Sequence, residues 1–192
     1  MSPFVLCALA YGLGSIPFGL VVARAKGVNL RAVGSGNIGA TNVARALGKK
    51  WAVLVLLADA AKGFVPVWLA QRLGFSATHV ALAGLAAICG HMFTIFLRGK
   101  GGKGVATSLG VAFALSWPAA LCGFGVYAIA YGLSRLSSVG SLLGIWSFPL
   151  FAKLLGYPPR AHLALATFVA VLVTIRHRAN IARLVRGEEK KA

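Results

Sequence analysis

The sequence predicts an all-α bundle of about seven helices that spans a lipid bilayer. Three observations carry that prediction. Hydrophobic residues make up 58% of the 192 and charged residues only 12%, about half the charged share of a soluble domain. Mean hydropathy is +0.81. The apolar residues fall into long runs separated by short, basic, glycine-rich gaps, and the 24 glycines suit close packing of membrane helices.

The first span covers residues 3–23. No basic segment precedes it, and Arg24 and Lys26 follow it, so it reads as a retained helix and not as a cleaved signal peptide. Spans at 51–71 and 79–97 come next. Residues 104–117 form a short fourth segment: ~14 residues at ~1.5 Å rise cover only about 21 Å, so it either dips into the bilayer or is completed by its neighbours. Pro118 separates it from a fifth span at 118–134, and spans at 139–156 and 161–176 complete the series. With no repeat, linker or composition break, residues 1–192 are expected to form one domain.

Twenty Lys and Arg face only Asp59, Glu188 and Glu189, a net charge of +17. In a soluble chain that excess would point to nucleic acid. Here the cations bracket apolar runs, so anionic headgroups and positive-inside topology account for them, and no nucleic-acid partner is expected. With the N-terminus outside, segments 24–50, 98–103, 135–138 and 176–192 face the cytoplasm and hold sixteen cations, against three at the outer side. A re-entrant fourth segment would put the basic C-terminus outside, which this count opposes. Every glycine-rich polar loop then lies on the cytoplasmic face, where the loops can share one site.

The loop Arg98-Gly99-Lys100-Gly101-Gly102-Lys103-Gly104, followed by Val105-Ala106-Thr107, offers cations, a flexible backbone and the start of a helix. That is chemistry for holding phosphate, through Lys100, Lys103 and the amides around Gly101, Gly102 and Gly104. The first loop, Gly34-Ser35-Gly36-Asn37-Ile38-Gly39-Ala40-Thr41-Asn42, supplies small residues with hydroxyl and amide donors. Arg45 adds a fork suited to two phosphate oxygens. The plainer reading of this loop is a turn capping a helix that begins near Thr41.

Asp59 and Lys62 stand three residues apart on one helical face within the second span. An ionisable pair there must be paired or face a polar interior, so structural pairing is the favoured role and direct catalysis by Asp59 the alternative. Pro66 is expected to kink this helix. His91 is read as a packed, hydrogen-bonded histidine before a base. At the end of the last span His177 and Asn180 share a face, beside Arg176, Arg178 and Arg183, as a phosphate-side element or an interfacial anchor. The serine-rich turn from Ser134 to Ser141 is a weaker candidate. Cys7, Cys89 and Cys122 sit singly in apolar runs and the four histidines are scattered, so neither a metal site nor a cofactor is expected.

Together these motifs resemble the bacterial membrane acyltransferases of the PlsY family, which use acyl-phosphate to acylate glycerol 3-phosphate. The resemblance runs through the 34–42 loop, Asp59 with Lys62-Gly63, Gly90-His91, the run from Lys100 to Thr107, Ser134 to Ser138, and Arg176 to Ile181 through Gly187-Glu188. It implies seven helices with an outside N-terminus in the bacterial inner membrane. It also implies formation of 1-acyl-glycerol 3-phosphate and inorganic phosphate, with glycerol 3-phosphate and a long-chain acyl-phosphate as partners beside membrane lipid. Ser35, Lys103 and His177 are then expected at the reacting atoms. Gly36, Asn37, Thr41, Asn42, Arg45, Lys100, Gly101, Gly102, Gly104, Thr107, Ser141 and Asn180 are expected to bind substrate, with Asp59, Lys62 and His91 as structural polar groups. A transporter for a phosphorylated metabolite, or a non-catalytic binder of anionic lipid, would share the charged spans but form no ester.

Overall fold

A computed structural model of the chain describes residues 1–156 and 159–191. The described residues form helices with connecting turns: α1 (Pro3–Ser15), α2 (Phe18–Ala25), α3 (Ala40–Leu47), α4 (Lys49–Arg72), α5 (Ala77–Met92), α6 (Val105–Leu115), α7 (Trp117–Ser134), α8 (Ser137–Leu154), α9 (Arg160–Arg176) and α10 (Arg178–Val185). Each predicted span coincides with one or two of these helices. Judged by length and apolarity, Pro3–Ala25, Lys49–Arg72, Ala77–Leu97 and Trp117–Ser134 can each cross a bilayer, and α9 with α10 would add a fifth across a 61° bend. At 11 residues α6 is as short as the sequence anticipates. Four serines and Lys153 dilute the apolar character of α8.

The predicted first span is broken in two. Pro17 has no N–H and cannot sit in an unbroken helix without loss of a bond, so α1 ends at Ser15 and α2 starts at Phe18. The carbonyls freed by the break are used across the bundle: Lys62 Nζ donates to Ile16 O at 2.8 Å and Thr94 Oγ1 donates to Ser15 O at 2.6 Å. Helix α4, where Pro66 was expected to produce a kink, runs unbroken from Lys49 to Arg72.

Small residues let the helices cross at backbone distance. A Cβ at Gly110 of α6 would lie 1.8 Å from Ala60 O of α4, and one at Gly63 of α4 would lie 2.1 Å from Thr107 O of α6. Gly14 and Gly90 do the same for α1 and α5. In lipid, where apolar burial gives no net drive, such contact is what holds helices together. Outward-facing side chains such as Phe4, Leu57, Ile129 and Leu133 are more than half exposed and form an apolar belt. The pairs α4–α6 and α7–α8 enclose an amphipathic cavity between them, and α9–α10 closes its polar end.

Candidate active site

The first polar loop is shaped by one buried side chain. Asn42, 1% exposed on α3, accepts from Ser35 N at 3.0 Å and donates to Leu30 O at 3.1 Å and Val33 O at 3.0 Å. Gly34 takes φ +59° beside it, and a Cβ there would meet Asn42 Oδ1 at 2.3 Å, so only glycine serves. Asn37 Oδ1 caps Gly39 N at 2.9 Å. Asn42 and Asn37 line the cavity, but these bonds make them builders of the loop first. Ser35 Oγ accepts from Asn37 N at 3.4 Å, which leaves its hydroxyl proton free to donate. Thr41 Oγ1 lies 3.0 Å from Ser137 Oγ and joins α3 to the start of α8.

The glycine loop departs from expectation. Gly101 N and Gly102 N donate to Met92 O and His91 O, each at 3.1 Å, so these amides do not point at a ligand. Their carbonyls are held too: Arg176 Nη2 donates to Gly101 O at 3.1 Å and to Gly102 O at 2.9 Å. A Cβ at Gly102 would lie 2.1 Å from His91 Nε2, so the glycine is there for packing. Neither Gly101 nor Gly102 lines the cavity. Gly36, Lys100 and Thr107 are also absent from its lining. Lys100 is exposed, with its carbonyl accepting from Arg31 Nη2, and Thr107 is buried against Gly63. Arg31 also donates to Gly36 O at 3.3 Å, so it clamps the two loops together.

What the second loop delivers to the cavity is Lys103, Gly104 and the first turn of α6. Beneath it runs a buried polar column. Lys62 Nζ is 2.7 Å from Asp59 Oδ1, and His91 Nδ1 is 3.6 Å from the same oxygen. Lys62 lies outside the cavity lining, whereas Asp59 and His91 both border it, and His91 Nδ1, expected to be hydrogen-bonded, is buried without a hydrogen-bond partner.

Lys103 Nζ donates to Asn180 Oδ1 at 2.6 Å, and Asn180 Nδ2 donates to Glu189 Oε1 at 2.6 Å. Ser138 Oγ reaches the same Glu189 oxygen at 3.0 Å, and Arg183 Nε reaches Oε2 at 2.6 Å. Burial opposes ionisation of Glu189, but the bonds from Asn180, Arg183 and Ser138 outweigh it and hold the carboxyl below its usual range. Burial pushes Lys103 down to about 8, partly offset by the Glu189 charge. His177 sits one residue beyond α9; burial and then the Lys103 charge push it down to about 4, so the ring is neutral. Its Nδ1 donates to Val173 O at 2.8 Å, which leaves Nε2 as an acceptor. Arg45 Nη2 donates to the carbonyls of Lys190 and Lys191 in the C-terminal segment.

The cavity measures about 470 Å³. One end gathers Ser35, Thr41, Arg45, Lys103, His177 and Asn180, with Ser141 at its edge; the other runs between α6, α7 and α8 past Leu109, Ala112, Phe124 and Phe148. Glu189, Arg183 and Ser138 are members of the polar end that the site prediction lacked. Arg183 and Ser138 fall within segments the sequence singled out, the end of the last span and the serine-rich turn, but their convergence on Glu189 was not read there. Among the described residues no group of His, Cys, Asp and Glu is arranged to hold a metal ion.

Fold and site together define an all-α integral membrane protein whose helices enclose a cavity that is cationic at one end and apolar at the other. A family model described as glycerol-3-phosphate acyltransferase matches residues 4–187, and the chain belongs to that family. A glycerol-3-phosphate acyltransferase of Anaeromyxobacter sp. (strain K) is 52% identical over the whole of both chains. One of Aquifex aeolicus is 46% identical, again over the whole of both. Crystal structures of PlsY, an integral membrane glycerol 3-phosphate acyltransferase, superpose closely. Its glycerol 3-phosphate form gives a TM-score of 0.95 at 46% identity, covering all of this chain and 96% of that one. Its lysophosphatidic acid form gives 0.93 at 45%, covering all of this chain and 95% of that one.

Proposed function

We propose that this enzyme transfers the acyl group of a long-chain acyl-phosphate to the sn-1 hydroxyl of glycerol 3-phosphate. The products are 1-acyl-glycerol 3-phosphate and inorganic phosphate, and the step belongs to phospholipid biosynthesis. The carrying observation is a cavity whose cationic head continues into an apolar tail. One space of that kind suits two phosphorylated substrates, one of them bearing a fatty chain.

An acyl phosphate is a mixed anhydride and already activated, so the protein's task is to bring two anions together and steady the developing oxyanion. Lys103 and Arg45 neutralise the phosphates, helped by Gly104 and the first amides of α6. Ser35 donates its hydroxyl to the reacting oxygen, and Thr41 and Asn180 bound the glycerol 3-phosphate side. The sn-1 oxygen attacks the acyl carbon, the bond from that carbon to the phosphate oxygen breaks, and inorganic phosphate leaves. His177, held near 4, accepts a hydrogen bond from the hydroxyl at Nε2 but is too weak a base to keep the proton at neutral pH. The proton passes to a substrate phosphate, whose second pKa is about 6. No acyl-enzyme is needed, because the donor is already activated, and among the described residues no side-chain base is hydrogen-bonded to Ser35 Oγ to make it a nucleophile.

The positive-inside count supports an outside N-terminus, a cytoplasmic C-terminus and a site on the cytoplasmic face of the inner membrane, with residues 1–192 acting as one domain. The test offers purified protein glycerol 3-phosphate with palmitoyl-phosphate, palmitoyl-CoA or palmitoyl-carrier protein in turn. Ester and phosphate in equal amounts from palmitoyl-phosphate alone is the expected result. Ester from either thioester instead would overturn the assigned donor.

A further inference from the structure

One ring stands at the apolar end of the cavity. Phe148 of α8 lines the cavity and also lines a second, far smaller void of about 10 Å³. Among the described residues no other side chain borders both. The void is walled on its far side by Leu115 and Ser116 at the end of α6, by Ala152 of α8, and by His162, Leu163 and Ala166 of α9. Phe148, 8% exposed, packs in a nest of alanines: Ala112, Ala119, Ala120, Ala152 and Ala166, all buried. The ring is thus the one bulky member among the buried residues of its cluster, with Phe113, Leu115, Phe151 and Leu163 packed partly buried around them. Alanines have no length with which to fill space that a shorter residue would leave, so truncation there opens a cavity instead of collapsing it. On the void side His162 Nε2 is buried without a hydrogen-bond partner.

We propose that Phe148 is the floor of the acyl-chain compartment and sets the longest chain the enzyme accepts. This rests on the acyltransfer reading above. The methyl end of the chain stops against the ring; behind the ring lies a further space, and the side chain at 148 decides whether it is reachable. Size at this position therefore controls depth, while the phosphate end and the reacting atoms, which Phe148 does not touch, are unaffected.

The experiment compares kcat/KM for lauroyl-, palmitoyl-, stearoyl- and arachidoyl-phosphate in the wild type, Phe148→Ala and Phe148→Leu, all purified in one detergent. Binding of lysophosphatidates of the same chain lengths serves as a readout independent of turnover. The expected result is a shift of both variants toward longer chains. Each newly buried methylene is worth about fourfold, so the arachidoyl-to-palmitoyl ratio should rise on the order of tenfold or more in Phe148→Ala and less in Phe148→Leu. If Phe148→Ala fails to fold, the milder leucine variant is judged by the same ratio. Unchanged chain-length profiles in variants that still form ester overturn the floor and leave the acyltransfer reading standing. Absence of ester from every acyl-phosphate in the wild type overturns that reading and the floor with it.

Discussion

Lys103 is the residue on which the proposed mechanism turns, because it is the cation that the second loop delivers to the cavity and it is positioned by a bond to Asn180. Lys103→Ala is expected to cut acyl transfer at least about 100-fold, a loss in keeping with removal of one charge-stabilising donor, while the protein still folds by near-UV circular dichroism. Its proton also gives a pH signature. The folded chain holds this lysine at about 8, below the usual lysine value of about 10.4. Between those values the folded protein sheds a proton that the unfolded chain keeps, so this group's contribution to stability rises with pH. Affinity for glycerol 3-phosphate moves the other way and falls as pH rises through about 8. Lys103→Arg, which stays charged, should flatten that fall in a calorimetric titration; an unchanged profile would assign the titration to another group. Asp59 offers a contrast at the same scale. Asp59→Asn leaves Lys62 buried and without its counter-charge, which costs about 3–5 kcal/mol, read as a lower detergent melting temperature.

At the scale of elements, the helices α4 and α6 hold the second loop in place by near-contact of their backbones. Gly110→Val would force a side chain against Ala60 O, now 1.8 Å from the ideal Cβ position, and should destabilise by about 1–3 kcal/mol. Gly125→Ala on α7, where the Cβ meets nothing within 4 Å, should be neutral or stabilising by up to about 1 kcal/mol; the pair of melting temperatures separates close packing from loss of glycine as such. The helices themselves were legible in the sequence, since long apolar runs bounded by cations have few alternatives in lipid. The break at Pro17 was not read, because a proline within an apolar run is compatible with a kinked span or with two helices. Only the partners Lys62 and Thr94 for the freed carbonyls decide between them. The glycine loop misled in a different way. Gly101 and Gly102 suggested exposed amides, yet a missing Cβ equally lets a backbone lie on a buried ring, and His91 is that ring. Glu189 carried no local signal beyond being one of three carboxylates in the chain; its partners come from α8 and α10 and from the turn of chain that brings it back to Asn180.

Across the whole molecule, the two halves of the chemistry meet because sequence-distant segments converge on one space. The 34–45 segment, the start of α6, the start of α8 and the C-terminal segment build a cationic end, and α6, α7 and α8 continue it into an apolar one. If both substrates occupy that space together, transfer is direct and each depends on the other. The decisive measurement is a rapid-quench experiment with enzyme in excess over radiolabelled palmitoyl-phosphate, run with and without glycerol 3-phosphate. Direct transfer predicts phosphate release only when glycerol 3-phosphate is present, in step with lysophosphatidate and with no label on the protein. A stoichiometric burst of phosphate in its absence, with palmitate recovered on Ser35, would contradict the account.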